Sequence, residues 1–289
     1  MKKTLFIAAM ALSVTGFAQK VNGKLGFSKG QKLELITETK KTATTELMGQ
    51  TMESTVNSSI TEVFNVEDAT ANGATIAHNV KRIVFSANGM GNSQSFDSDK
   101  EEDRKGEMGK VMDKALKNNY KMTVDPYGVI TAVNVNDTAK GSKNAEAEAM
   151  TELVSTQLGL KLGTPKQGEI SVFKILPGKE IAQGDTWTDS SSADGQKRTT
   201  VYKVNSITAN EILLDYTEDI NINTTQQIMG TDASIKSDDK VVGQITLDKK
   251  TGLLKRKTAT IDTKATMEAQ GMTIPSTGKT TVTTTLKTL

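Results

Sequence analysis

The 289-residue chain carries 36 basic and 34 acidic residues, one histidine and no cysteine. This near-neutral balance argues against a nucleic-acid partner, because nucleic-acid binding needs a clustered basic surface. The lack of cysteine excludes disulfides and thiol nucleophiles, and a single histidine leaves too few ligands for a typical zinc site. The sequence contains no phosphate loop or dinucleotide-binding motif, so we expect no metal and no cofactor.

The first residues have the pattern of an export signal. Lys2 and Lys3 form a positive start, residues 4–17 are mostly apolar, and a small-x-small cleavage site ends at Ala18. We therefore predict cleavage after Ala18 and a periplasmic or secreted protein. No later run is apolar enough to predict a transmembrane segment.

The first half of the chain has the alternation of antiparallel strands. Residues 31–96 alternate between apolar and polar side chains, which is the two-residue period of a half-buried strand. The apolar residues that share one parity include Val56, Ile60, Phe64 and Val66. Asn88-Gly89 is a hairpin signal, because both residues tolerate positive φ.

Two stretches change to a helical period. Residues 100–119 have acidic residues at their start and apolar residues at i, i+3, i+4 and i+7, which predicts one helix. Its apolar stripe consists of Met108, Val111, Met112, Ala115 and Leu116. A second amphipathic pattern predicts a helix at residues 144–160, stopped by Gly163 and Pro165.

Strand patterns return in the second half. They cover residues 198–205, 211–223, 240–247, 253–263 and 279–289. The predicted fold class is mainly β (α+β): a long curved antiparallel sheet or half-barrel with two helices. We divide the chain into a signal peptide (1–18), a first β-rich half with two helices (19–171) and a second β-rich half (172–289), both in one compact unit.

Three pairs of short segments indicate an internal duplication, with residues 172–187 at the seam. The matched pairs are Gly30-Gln31-Lys32-Leu33 with Gly184-Asp185-Thr186-Trp187, Val63-Phe64-Asn65-Val66 with Val201-Tyr202-Lys203-Val204, and Thr123-Val124-Asp125 with Thr246-Leu247-Asp248. Their order agrees in the two halves, with a larger insertion in the first. Hairpins that reuse the same turn residues are the alternative explanation.

Four predicted hairpin tips carry glycine beside methionine. The methionines are Met48, Met52, Met90, Met229 and Met272. An apolar side chain gains nothing at a wet turn, and methionine recurs on adaptable binding surfaces. We therefore take these five residues as candidate ligand-binding residues; the alternative is that the tips fold over and close the core.

Other chemistry-bearing residues favour structural roles. His78 shares the parity of Ile76 and Val80, which indicates a buried strand position rather than a catalytic one. The acidic run at 97–103 lacks the glycine and alternation of a calcium loop and is typical of a helix start. Trp187 at the opening of a strand is typical of a core anchor.

The signal ending Gly-Phe-Ala-Gln, the segment Leu-Pro-Gly-Lys-Glu-Ile-Ala-Gln-Gly-Asp-Thr-Trp and the Met-Gly tips resemble an uncharacterised family of secreted β-rich proteins from Gram-negative bacteria. That family carries no known active site, so the resemblance transfers no functional residue. At the level of architecture only, the chain also resembles the periplasmic lipoprotein-carrier class, whose half-barrels hold acyl chains.

We expect a non-enzymatic cell-envelope protein that binds an apolar small molecule or an envelope protein. One alternative is a structural or adhesion module that has no ligand cavity. The other is a hydrolase using two carboxylates, which the sequence supports least because it offers no recognisable acid–base constellation.

Overall fold

The structure, a computed structural model, describes residues 20–89, 91–135, 163–193, 195–228, 231–269 and 271–289. The predicted export signal and the predicted helix at 144–160 lie outside these residues. The first-half elements are β1 (Lys32–Leu47), β2 (Gln50–Thr70), β3 (Gly73–Gly89), β4 (Asn92–Asp97), α1 (Glu101–Lys105), α2 (Glu107–Leu116), β5 (Tyr120–Val124) and β6 (Ile130–Val135). The second-half elements are β7 (Thr186–Ala193), β8 (Gln196–Ile207), β9 (Glu211–Ile228), β10 (Thr231–Asp248), β11 (Leu254–Ala269) and β12 (Met272–Thr288).

The described strands form one curved antiparallel sheet that does not close into a barrel. Its order is β6-β5-β3-β2-β1-β12-β11-β10-β9-β8-β7, and β4 pairs with β3 beside this path. Each half is a meander of hairpins, and β12 joins the halves because it pairs with both β11 and β1. The predicted fold class is therefore confirmed.

Side chains of one parity build the core, as the two-residue period requires. We call the sheet face that carries them the inner face. In β2 it carries Phe64 and Val66, and in β9 it carries Ile212 and Leu214, all of them buried. These residues of the two arms belong to one hydrophobic cluster, so the sheet bends toward its inner face.

One end of the sheet, which we call the core end, is filled by segments without regular structure. Phe173, Leu176 and Ile181 are buried in the cluster that joins the arms. Val21 exchanges backbone hydrogen bonds with Ile181, at 3.0 and 2.9 Å. The segment predicted as a seam therefore lies inside the core, because its apolar side chains occupy the space between the arms.

The approach to β1 has the same local structure as the approach to β7. Gly30 and Gly184 both have positive φ, of 81° and 90°, which glycine adopts without strain. Gly30 donates a backbone hydrogen bond to Val66, and Gly184 donates one to Val204. In the first turn the Gln31 side-chain oxygen accepts a hydrogen bond from the Ser28 N–H, and in the second the Asp185 side-chain oxygen accepts one from the Ala182 N–H.

The pairing register is also the same in the two halves. Successive partners across the first half are Leu33, Phe64, His78 and Tyr120. Successive partners across the second half are Trp187, Tyr202, Tyr216 and Gly243. Irregularities in pairing fall after Val66 and after Val204, and again at Thr123/Val124 and at Thr246/Leu247. Both halves therefore have the same strand connectivity, with β1, β2, β3, β5 and β6 matching β7 to β11.

The first half differs by the insertion of β4, α1 and α2 between β3 and β5. The prediction of one helix over 100–119 was wrong in one respect, because Gly106 adopts an extended backbone (ψ 177°) and divides α1 from α2. Glycine has the lowest helix propensity after proline, and here it ends the first short helix. The apolar stripe is confirmed, since Met112 and Ala115 are buried in a second cluster with Phe85.

The helices of the described part of the chain are short. Neither α1 nor α2 has the length and apolar character that a bilayer-crossing helix requires.

Gly243 lies in close contact with neighbouring atoms on the inner face. A Cβ atom there would lie 2.2 Å from the Thr258 backbone oxygen and 2.5 Å from the Tyr216 ring. We expect Gly243→Ala to lower the free energy of unfolding by about 1–3 kcal/mol through overpacking. Gly163→Ala is the matched control, because its Cβ would meet no atom within 4 Å. Urea unfolding measures both, and equal midpoints for both variants would contradict the packing argument.

Candidate functional site

A single row of paired residues crosses the inner face from one side of the sheet to the other. Its members are Phe96, Phe85, Ser58, Thr39, Val282, Ala259, Gly243, Tyr216, Tyr202 and Trp187. Aromatic rings stand on both flanks, and small side chains occupy the centre. Thr39 and Ser58, in the middle of the row, are both buried.

The aromatic flank of the second half is a stacked ladder. The Trp187 and Tyr202 rings lie 4.9 Å apart, and the Tyr202 and Tyr216 rings lie 6.1 Å apart. The Lys257 ammonium sits 4.7 Å from the Tyr216 ring centroid, within cation–π range. Burial raises the pKa of Tyr202 to about 12, and it also raises the pKa of Tyr216, so both remain neutral at physiological pH.

A buried ion pair lies beside this ladder. Arg198 donates through Nη1 to Glu218 Oε1, and the Glu218 side chain is 8% exposed. Glu218 belongs to the next row toward the hairpin tips, together with Thr200 and Val241. Removal of a carboxylate from water is costly, so the guanidinium is the group that makes Glu218 acceptable at this position.

Near the hairpin tips, apolar side chains occur again on the inner face. We call this set the tip-end lining: Leu47, Met52, Ile235, Met267, Met272 and Ile274. Ile235, Met267 and Ile274 are successive partners across β10, β11 and β12. Five of the six are half-buried, and Met272 is 39% exposed.

The opposite, outer face of the same strands is charged. Lys236 and Glu268 form an exposed ion pair of 3.7 Å there. At the hairpin tips the inner face is therefore apolar and the outer face charged, while Asp239, Ser237 and Ser276 on the inner face separate the tip-end lining from the packed core. Among the described residues, no core residue covers this lining.

The five candidate methionines are placed as follows. Met48 is 84% exposed at the β1–β2 turn and has a positive φ of 51°. Met52 and Met272 belong to the tip-end lining. Met90 and Met229 lie outside the described residues, but the strands that precede them end at Gly89 and Ile228.

The register places these hairpin tips at one end of the sheet, which we call the tip end. The ends of β3 and β1 meet the start of β2, since Gly89 and Ala43 both pair with Ser54. The start of β12 meets the end of β1, where Thr45 pairs with Ser276. In the other arm, Ala233 near the start of β10 pairs with Ala269 at the end of β11.

The outer face carries an open groove of about 590 Å³ over β8 to β12. Val201 and Val242 are 41% and 64% exposed there and are separated in the register by Thr217. The rest of the outer-face lining is mainly threonine, with Lys203 and Asp215 at one side. This groove is not lined by methionine or leucine, so it differs from the binding surface that the sequence predicts.

His78 and the acidic run have structural surroundings. His78 is buried, contacts Glu62 at 2.9 Å and stacks on the Tyr120 ring at 4.2 Å. In the acidic run, Asp97 accepts from Arg82, which lowers the pKa of that carboxyl, and its backbone N–H donates to Asp103. Within the described residues, no group of three acidic or histidine side chains could hold a metal ion.

Sequence reasoning missed most of the tip-end lining. The predicted strand at 240–247 began after Ile235, and the strands at 253–263 and 279–289 left a gap that contains Met267 and Ile274. Their signal is their parity, which continues that of Val241, Ile261 and Val282 toward the tips. Pro275 and Gly278 obscured this alternation.

Comparison with known proteins identifies the family of the chain. A family model described as a family of unknown function (DUF6263) matches residues 71–254, which is more than half of the chain and confirms the resemblance to an uncharacterised family. No curated protein matches the chain.

The chain also has distant likenesses to solved structures. Lipovitellin, in a structure that describes its lipid–protein interactions, has 10% identity and a TM-score of 0.49 over 91% of this chain, which spans 25% of the lipovitellin chain. An outer-membrane channel from Pseudomonas putida F1 has 7% identity and a TM-score of 0.26 over 91% of this chain and 98% of its own. The β domain of the Bordetella autotransporter BrkA has 6% identity and a TM-score of 0.24 over 87% and 98%. These scores carry no argument about ligand or mechanism.

The buried ion pair gives a test of the inner-face electrostatics. We expect Arg198→Met to lower the free energy of unfolding by about 2–4 kcal/mol, because Glu218 would then be a buried charge without a counterion. The double variant Arg198→Met/Glu218→Leu should recover most of that loss. Urea unfolding of the unmodified protein, the two single variants and the double variant measures the coupling energy between Arg198 and Glu218.

The exposed pair Lys255–Glu211 provides the control, since both side chains are nearly half exposed. We expect Lys255→Met to cost less than about 1 kcal/mol. A loss for Arg198→Met as small as that for Lys255→Met would show that Glu218 is effectively solvated.

Proposed function

The chain belongs to DUF6263, a family of unknown function, and we propose that it is an exported, non-enzymatic protein of the cell envelope that binds an apolar ligand on its inner face. The observation that carries the proposal is the tip-end lining, in which six apolar side chains extend past the packed core. Phe173, Leu176 and Ile181 fill the core end. We therefore take the tip end as the route by which an apolar chain reaches the inner face.

The lining suits an extended aliphatic molecule better than a compact one. Three of its residues form a row across β10, β11 and β12 near the hairpin tips. Closer to the core, the inner face is small where β1 meets β12, because Ala43 is paired there to Gly278. A ligand chain lying along this surface would gain about 0.8 kcal/mol for each methylene group removed from water. Methionine side chains adapt to chains of different shape, since they are unbranched and polarizable.

Export is the second part of the proposal. It rests on the charged start, the apolar run and the small-x-small junction at Ala18. A periplasmic or secreted location also fits the ligand class, because apolar molecules need a carrier or a receptor wherever they cross water.

We also infer that the two arms arose by duplication of one unit. The inference is supported by the equal turns at Gly30 and Gly184 and by the equal registers around Phe64 and Tyr202. Chance reuse of turn residues would account for the turns but not for the matched pairing irregularities.

A structural or adhesion module is the second candidate, and the outer groove favours it. Val201 and Val242 expose apolar surface among threonines without any ligand-enclosing depth. A partner protein or glycan could dock on such a surface. The two candidates differ in the face they use, so substitutions confined to one face distinguish them.

The mature N-terminus tests export. We expect N-terminal sequencing or intact mass analysis of the natively produced protein to place the first residue at Gln19, either free or cyclised to pyroglutamate. Protein recovered from the periplasm or medium that still begins with Met1 would contradict the cleavage.

Binding of a fluorescent fatty acid tests the ligand site. Replacement of Met267 and Ile274 together by serine should weaken binding at least tenfold, since both side chains line the inner face. The four-fold variant of Met48, Met90, Met229 and Met272 to serine should also weaken binding, while its thermal midpoint stays nearly unchanged. Surface substitutions usually change stability by less than about 0.5 kcal/mol.

The matched control lies on the outer face of the same strands. Lys236→Gln with Glu268→Gln removes the exposed ion pair and should leave fatty-acid binding unchanged. Unchanged binding in both serine variants would refute the inner-face site. A large drop in thermal midpoint for the four-fold variant, with binding retained, would show that the tips are part of the core.

A further inference from the structure

The strand β7 ends the sheet, whereas its counterpart β1 lies in the middle. The matched register makes Trp187 the counterpart of Leu33, since Trp187 pairs with Tyr202 as Leu33 pairs with Phe64. β1 has β2 on one edge and β12 on the other, with pairing to β12 from Leu33 to Thr45. Among the described residues, β7 pairs only with β8.

Backbone groups of alternate residues in β7 face this open edge. Gln31 accepts from Val66 on the β2 side, and the next residue, Lys32, accepts from Leu289 on the β12 side. Asp185 likewise accepts from Val204 on the β8 side. Because neighbouring residues of a strand bond to opposite sides, the N–H and C=O groups that face the open edge are those of Thr186, Thr188, Ser190 and Ser192.

The open edge lacks most of the features that usually block strand addition. β7 contains no proline, lysine or arginine, and its pairing with β8 shows no bulge. Its side chains beyond Trp187 are small or acidic and exposed. Natural sheets normally protect exposed edges with charge, proline or bulges, and of these β7 has a single charge, the carboxylate of Asp189. That charge disfavours an acidic or apolar partner strand and leaves the edge suited to pairing with a strand that carries a basic residue opposite it.

We propose that β7 takes an extended strand of a partner polypeptide, antiparallel to it, in the position that β12 has beside β1. A threonine-rich strand suits this position, because β12 itself carries threonine at most positions opposite β1. The partner strand carries a basic residue opposite Asp189, which is exposed and forms no salt bridge within the described residues. This recognition is independent of the apolar site on the inner face.

A second copy of the chain fits this edge less well. Antiparallel pairing of two β7 strands from Thr186 to Ser192 sets Asp189 opposite Asp189 of the other copy, and like charges directly opposite are destabilising. If the two β7 strands pair with Ser190 opposite Ser190, Asp189 lies opposite Ser191 of the other copy. The two Asp189 carboxylates are then diagonal neighbours on one face of the sheet. The same carboxylate attracts a basic partner side chain, so the charge of the edge favours a different polypeptide.

A peptide that copies the end of β12 tests the proposal. The probe is the sequence of residues 279–289 with Leu286→Lys, because Leu286 pairs with Leu35, the counterpart of Asp189. Titration into isotope-labelled protein should shift the amide signals of Thr188 and Ser190. The matched peptide with Leu286→Glu should bind at least fivefold more weakly.

Two further measurements separate edge pairing from other binding. Ser190→Pro removes an edge-facing N–H and should weaken peptide binding at least tenfold, while Ser190→Ala should bind as the unmodified protein does. If Ser190→Pro fails to fold, a peptide N-methylated at its edge-facing positions should lose binding to the unmodified protein.

Three results would overturn the proposal: equal affinity of the lysine and glutamate peptides, equal affinity of the proline and alanine variants, or no binding of the lysine peptide at millimolar concentration. Sedimentation showing a dimer that Ser190→Pro abolishes would also overturn it, by making a second copy the occupant.

Discussion

The pairing of β12 with β11 and β1 is the interaction on which the molecule depends. Each half of the chain is a meander that could form a sheet of its own, but β12 lies antiparallel to both and joins them. Thr37 and Thr284 add a hydroxyl contact of 3.3 Å across this junction. Because the junction is central, the arms can bend toward each other and share one core at the core end.

The distribution of side-chain volume along the inner face accounts for the difference between its two ends. At the core end, Phe173 and Leu176 fill the space between the arms. Toward the tip end, the centre is built from residues as small as Ala259 and Gly243, while aromatic rings occupy the flanks. The tip-end lining lies beyond this region, and among the described residues its side chains belong to neither core cluster. The proposed ligand site rests on this separation of the lining from the core.

The two halves share strand connectivity and register but differ in chemistry and in their edges. His78 and Tyr216 hold equivalent positions in the two halves, but their side chains contact different partners. His78 stacks on the Tyr120 ring, whereas the Tyr216 ring lies over Gly243. Only β1 has β12 as a second neighbour, and among the described residues its counterpart β7 pairs with β8 alone. The proposed duplication accounts for the shared registers, and the single β12 accounts for the difference between the two edges.

The sequence by itself determined the fold class, the parity of the buried faces and many of the turns, because these depend on neighbouring residues, but it left out β7 and the tip-end parts of β10, β11 and β12. The alternation through Ile212 and Leu214 identifies a buried face, and the apolar stripe through Met112 identifies a helix side. Only the tertiary structure decided which strands are neighbours, that the hairpin tips share one end and that Ile235, Met267 and Ile274 form one row. A two-residue period fixes the face of a side chain but not its partner across strands, which depends on contacts distant in sequence.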